Sequence, residues 1–125
     1  MSVKANTTIF LVDDDPMCGF MYMNFFTNQG FTNVSFFSSG KAMLEQIDEN
    51  PFMVFADYNL SDCTGLELVQ KVRSMNPSVY VTIVTGDQDE NIKERVLLEG
   101  AHGFLLKNDT VTADMLNVIE SLLSQ

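Results

Sequence analysis

Short apolar runs alternate along this chain with stretches of helical periodicity, five times over. Thr8 to Val12 (TIFLV) is almost continuously apolar, as a central parallel strand covered on both faces must be. Asp15 and Pro16 then supply an N-cap and a first helical residue, and Gly30 a stop, for a helix over Pro16 to Gln29. A second strand is expected over Asn33 to Phe37, with Ser38 and Ser39 capping a helix over Gly40 to Glu49 that Pro51 closes. The third strand, Met53 to Ala56, runs into Asp57 and an irregular loop, Tyr58 to Thr64, before a helix over Gly65 to Met75. A fourth strand over Val79 to Val84 precedes a charged helix over Asp87 to Leu98, stopped by Gly100. Phe104 to Leu106 makes the last strand, and Thr112 caps a final helix with Met115, Leu116, Ile119, Leu122 and Leu123 at helical spacing. Strict alternation of this kind predicts an α/β fold, one five-stranded parallel sheet doubly wound by helices on both faces, because parallel neighbours need right-handed crossovers.

With 125 residues, 46% of them hydrophobic, the chain 1–125 is expected to form a single domain with its core over about 8–123 and no effector domain. Seventeen acids against seven scattered bases, a net charge of −10, argue against direct binding to nucleic acid or to an anionic membrane. Cys18 and Cys63 form no Cys-x-x-Cys pair, and no cationic apolar leader precedes the first strand, so a reduced, cytoplasmic setting is expected. No apolar run approaches the ~18 residues of a membrane-spanning helix.

Ligands of such sheets bind outside the carboxyl ends of the strands. There the sequence places Asp13, Asp14 and Asp15 after the first strand, Asp57 after the third, Thr85 after the fourth and Lys107 after the fifth. Crowded carboxylates repel one another unless a cation sits among them. All-oxygen ligands suit a hard ion such as Mg²⁺. A carboxylate beside Mg²⁺, with a lysine and a hydroxyl at hand, is suited to phosphoryl transfer onto oxygen, with Asp57 as the in-line nucleophile. Taken singly, the aspartates also read as turn and cap residues, and Thr85 and Lys107 as a turn residue and a surface lysine; their convergence on one edge favours the site.

Four segments, LVDDDP (Leu11 to Pro16), DYNLSDCTG (Asp57 to Gly65), VTIVTGD (Val81 to Asp87) and EGAHGFLLK (Glu99 to Lys107), together resemble the receiver domain of two-component response regulators, the family of the chemotaxis protein CheY. The resemblance runs from Thr8 to Leu123 and implies a flavodoxin-like sheet of strand order 2-1-3-4-5. It implies Asp57 as phosphoacceptor, with Mg²⁺ held by Asp57, by Asp14 directly, by Asp13 through water and by the backbone carbonyl of Asn59. Thr85 matches the hydroxyl that follows the phosphoryl group, Phe104 the switch aromatic and Lys107 the phosphate-contacting lysine. The implied donor is a sensor histidine kinase or histidine phosphotransfer protein; the single histidine, His102, reads as an ordinary loop residue. The implied output is a switch of the face made by strand 4, helix 4, strand 5 and helix 5 for a downstream protein target, as a monomer or a phosphorylation-dependent dimer. A protein of this kind promotes its own phosphorylation and dephosphorylation and is not a conventional turnover enzyme.

Two positions depart from the family. Ser61 and Asn108 stand where it usually has proline, the second often in cis; a cis bond before a non-proline costs about 2.5–4 kcal/mol, so the Lys107–Asn108 peptide is either strained cis or trans. The first helix, PMCGFMYMNFF, carries more apolar residues than one buried stripe needs. With Cys18, Met21 and Phe25 facing inward, Phe20 and Met23 would face solvent as a patch for a helical phosphotransfer partner. Two other readings remain: a phosphorylation-independent receiver-like interaction module, and a haloacid dehalogenase-type phosphatase using Asp13 as nucleophile. The second lacks the Thr or Val that its motif wants at Met17 and leaves Asp57 without a role. A flavin or dinucleotide site is disfavoured because no Gly-rich turn follows the first strand.

Overall fold

The computed structural model describes residues 3–125. Its elements run β1 (Thr8–Val12), α1 (Pro16–Asn28), β2 (Asn33–Phe37), α2 (Gly40–Leu44), a 3₁₀ turn (Ile47–Glu49), β3 (Met53–Asp57), α3 (Gly65–Met75), β4 (Tyr80–Thr85), α4 (Glu90–Leu98), β5 (Gly103–Leu106) and α5 (Val111–Leu123). All five strands pair in parallel in the order β2-β1-β3-β4-β5, the expected topology.

Alternation along the strands divides the core in two. Phe10, Val12, Val54, Ala56, Val81 and Ile83 face one side, where Met43, Leu68, Val72 and Val96 of α2, α3 and α4 cover them. Ile9, Leu11, Met53, Phe55 and Val84 face the other, under Tyr22 and Phe26 of α1 and Val111, Met115 and Ile119 of α5. Both faces of the central strands are thus out of water, which is why those segments read as largely apolar runs, interrupted in β4 by the buried Thr82.

Several expected boundaries shift. β3 reaches one residue further than Ala56, to Asp57, while β4 starts at Tyr80 and β5 at Gly103. The helix expected over Gly40 to Glu49 stops at Leu44 and tightens into the 3₁₀ turn. Pro51 disfavours the helical conformation in the residue before it, and Asn50 there adopts a left-handed φ of 57°. The fourth helix begins at Glu90 instead of Asp87: the Asp89 carboxylate accepts the amides of Asn91 (2.9 Å) and Ile92 (3.3 Å) and is the true cap. Thr112 lies inside α5 and does not cap it. The turn before α5 is held by Asn108, whose Oδ1 accepts the Thr110 amide at 3.1 Å and the Thr110 hydroxyl at 3.0 Å.

The inward face of α1 also differs from expectation. Its buried residues are Gly19, Tyr22 and Phe26, while Cys18 and Phe25 are half-buried and Met21 is exposed. Gly19 sets the rotation, because a Cβ there would collide with the Phe36 ring of β2, so only the glycine face can press this closely on the sheet. Phe20 faces solvent as expected, but Met23 is half-buried and packs against the α1/α5 side of the core.

Candidate functional site

The strand register brings the chemistry together. Val12 pairs with Ala56, so the following residues, Asp13 and Asp57, emerge side by side at the carboxyl edge. Asp57 pairs in turn with Val84, the neighbour of Thr85, and Thr85 pairs with Leu106, the neighbour of Lys107. The Lys107 amide donates to the Thr85 carbonyl at 2.8 Å, which extends the ladder one residue past β5 and fixes where the lysine leaves the sheet.

Asp13, Asp14 and Asp57 each offer a carboxylate oxygen, and the three lie within 4.8 Å of one another. Asp13 is buried, Asp57 half-buried and Asp14 exposed, so the cluster opens to solvent on the Asp14 side. Asp13 accepts the Asp15 amide at 2.8 Å, and Asp15 in turn accepts the Met17 amide at 2.9 Å as the N-cap of α1. Asp15 is therefore occupied by capping, and the other two acids of the run are left to the cluster.

The Lys107 ammonium stands among these carboxylates, 2.8 Å from Asp13 and 3.5 Å from Asp57. Burial works against its charge, but the hydrogen bond from Lys107 to Asp13 and the charges of Asp13 and Asp57 outweigh that and hold its pKa above the ordinary lysine value. Burial raises the pKa of Asp57, and Asp13 adds to the shift, while Lys107 and the Asn59 amide oppose it. The cluster thus holds more negative charge than one lysine neutralises. A hard divalent cation fits this all-oxygen set, with an open, solvent-facing side where waters can complete its shell.

Thr85 is buried, and its hydroxyl accepts the Asp87 amide at 3.2 Å. Phe104 is half-buried against the α2–α4 side of the core and lines a cleft with Asp89, Lys93, Leu106 and Asn108. His102 lies away from the acids, with its Nδ1 accepting the Val81 amide at 3.4 Å and its ring edge-on to Tyr80. Both cysteines are free thiols.

The two departures from the usual proline pattern have structural counterparts. The described residues contain no cis peptide, so Lys107–Asn108 is trans, and the Asn108 amide, which proline would lack, donates to the Leu106 carbonyl at 3.0 Å. In the β3–α3 loop the stabilising contact comes from Asp62, one residue after Ser61. Its carboxylate accepts the amides of Gly40 (3.0 Å) and Lys41 (2.8 Å) and ties the loop to the start of α2. Reading the sequence for strand ends missed Asp62, because its partners lie 22 and 21 residues away. It also missed Tyr22, a polar tip inside the buried stripe of α1; its spacing of three from Gly19 and four from Phe26 is the one available signal.

A parallel 2-1-3-4-5 sheet with an acid cluster and a lysine at its carboxyl edge is the architecture of a response-regulator receiver. The chain belongs to that family: its residues 9–119 match the response regulator receiver domain. It is similar to the transcriptional regulatory protein ZraR of Escherichia coli strain K12, 28% identical over 103 residues, covering 82% of this chain and 23% of that protein. It is also similar to a cyclic di-GMP phosphodiesterase of Thermotoga maritima, 28% identical over 100 residues, covering 80% of this chain and 27% of that protein. The chain therefore spans about a quarter of the length of these curated relatives. Among solved structures, a CheY-like response regulator receiver domain protein from Methanospirillum hungatei JF-1 superposes with a TM-score of 0.85 at 25% identity, covering 94% of each chain. No helix of the described residues is long and apolar enough to cross a membrane.

Proposed function

We propose that this receiver accepts a phosphoryl group on Asp57 from the phosphohistidine of a sensor histidine kinase or histidine phosphotransfer protein, with Mg²⁺ held by Asp13, Asp14, Asp57 and the Asn59 carbonyl. The observation that carries this reading is the approach of the Asp13, Asp14 and Asp57 oxygens to within 4.8 Å of one another. The Lys107 ammonium beside Asp13 and Asp57 completes the arrangement. An Asp57 carboxylate oxygen attacks phosphorus, the P–N bond of the donor breaks and the imidazole leaves with the electron pair. Mg²⁺, when bound, offsets charge on the phosphoryl oxygens. Lys107 stabilises the same oxygens from the other side, and the Thr85 hydroxyl turns to them once the phosphoryl group is in place.

Mass spectrometry after incubation with acetyl phosphate and Mg²⁺ tests this. The expected result is a Mg²⁺-dependent 1:1 adduct that Asp57→Ala abolishes. An adduct that survives Asp57→Ala but is lost in Asp13→Ala would instead support the phosphatase reading, and no adduct at all would support a phosphorylation-independent interaction module.

For the donor's docking site we propose the exposed side of α1 centred on Phe20, which is 67% exposed, flanked by Met17 and Met21. Met21, at the edge of this patch, lines one cleft with Lys107, whose ammonium pairs with Asp13 and Asp57. The half-buried Met23 stands at its edge. Phe20→Ser is expected to slow transfer from a phosphohistidine donor while leaving labelling by acetyl phosphate unchanged. Equal slowing of both would remove the patch from donor recognition.

A further inference from the structure

Tyr22 is 3% exposed, and its hydroxyl is buried without a hydrogen-bond partner in the protein. A buried hydroxyl left unpaired is unfavourable, and phenylalanine would fill the same space without that penalty. The ring belongs to the α1/α5 side of the core. Its side chain also reaches a cleft of about 420 Å³ between α1 and the start of α5, where Tyr22 and Lys107 share the wall with Cys18, Val111 and Thr112. Burial raises the phenol's pKa and keeps it neutral, and the Lys107 charge opposes that shift. Tyr22 and Lys107 thus line one cleft, and the phenol hydroxyl is buried with no partner of its own.

Lys107 has three N–H donors, and its ion pairs with Asp13 and Asp57 engage two. If Asp57 carries a phosphoryl group, the ammonium is drawn from Asp13 toward the phosphoryl oxygens, and a donor it shared with Asp13 needs a new acceptor. We propose that Tyr22 is a positioning residue for Lys107: its hydroxyl oxygen accepts a hydrogen bond from the Lys107 ammonium in the phosphorylated state. This rests on the reading of Asp57 as phosphoacceptor and deepens it. The unpaired hydroxyl weakens the resting state, and its pairing with Lys107 stabilises the phosphorylated one, so Tyr22 biases the receiver toward the phosphorylated form.

Tyr22→Phe removes one oxygen and keeps the ring. Beryllium trifluoride, a mimic of the phosphoryl group, is titrated into both proteins at saturating Mg²⁺ by calorimetry, and the Lys107 ammonium is followed by NMR of ¹⁵N-lysine-labelled protein. The expected result is an affinity about fivefold weaker in Tyr22→Phe, the worth of one net hydrogen bond. Its melting temperature without the mimic should equal or exceed that of the parent, and the slowly exchanging Lys107 ammonium signal of the parent complex should be lost. An affinity within twofold of the parent overturns the proposal, as does a weaker affinity with the Lys107 signal intact, which would assign Tyr22 to packing alone. Failure of the parent itself to bind the mimic or to be labelled at Asp57 would overturn the receiver reading and this inference together; binding by the parent with an unaffected Tyr22→Phe overturns this inference alone.

Discussion

At the scale of single residues, the site is governed by an imbalance of charge. Asp57 carries a carboxylate in a place where burial and the neighbouring Asp13 disfavour its charged form, and Lys107 compensates only in part, leaving its pKa raised. A carboxyl group whose pKa is higher folded than unfolded binds its proton more tightly in the native state. Its contribution to stability is therefore most favourable at low pH and declines as pH rises from the unfolded value, about 3.9, through the folded one. Without divalent cations, Asp57→Asn is thus expected to melt above the parent at pH 7, and the gap should close as pH falls below about 4. Scanning calorimetry in chelator across that range checks this; a variant that melts lower at pH 7 would show that Lys107 more than neutralises the cluster. Saturating Mg²⁺ should shrink the gap at neutral pH, because a bound cation removes the same repulsion.

At the scale of elements, the structure shows why some parts of this fold are written locally and others are not. The strands were legible because each central one is buried on both faces, so apolar residues dominate them even though β4 buries Thr82 and Thr85; the acid cluster was legible because its members stand directly past strand ends, where the fold presents ligands. The rotation of α1 was not, since apolar residues surround the helix and periodicity alone selected Cys18, Met21 and Phe25 over the true stripe. What selects Gly19, Tyr22 and Phe26 is a tertiary fact, the Phe36 ring of β2 lying against the one residue without a side chain. What holds the start of α2 was equally hidden. That helix has five residues, and alongside the local Ser39 cap on Ala42 its Gly40 and Lys41 amides donate to the Asp62 carboxylate of another loop.

Asp62 therefore stabilises α2 and the β3–α3 loop together. The Lys41 amide, and then that of Gly40, hold its carboxyl below the usual aspartate range, so the native state favours the charged form. The sign is opposite to that of Asp57: this stabilisation is present above the unfolded pKa and is lost as pH falls through the folded one. Asp62→Ala is expected to cost about 1 kcal/mol at pH 7, the usual worth of a cap, with the difference from the parent fading in acid. Amide exchange should quicken at Gly40 and Lys41 in the variant. Unchanged exchange there in chemical-denaturation-matched samples would mean that Ser39 alone holds the helix.

For the molecule as a whole, the proposed function requires that an event at Asp57 reach the face formed by α4, β5 and α5. The two halves of the core are closely packed, so a signal has to travel through a group with two alternative arrangements and not through general softening. On the proposed function, Thr85 is the candidate for such a group. It is buried at the end of β4, one residue beyond Val84, the partner of Asp57, and its hydroxyl now receives the Asp87 amide at 3.2 Å. That bond holds the turn leading to Asp89, the cap of α4. If the proposed phosphoryl group on Asp57 draws the hydroxyl toward it, the oxygen is taken from the Asp87 amide, and the turn would loosen on the side where Phe104 packs. With beryllium trifluoride and Mg²⁺ bound, amide exchange is expected to rise severalfold across residues 86–89 and the Phe104 ring resonances to shift. Thr85→Ala should still take a phosphoryl group on Asp57, since none of the cluster's ligands is touched, but the shift at Phe104 should vanish. An undiminished Phe104 response in Thr85→Ala would route the coupling through Lys107 and the Thr85 carbonyl that its amide already holds at 2.8 Å, making β5 and not the β4–α4 turn the moving part.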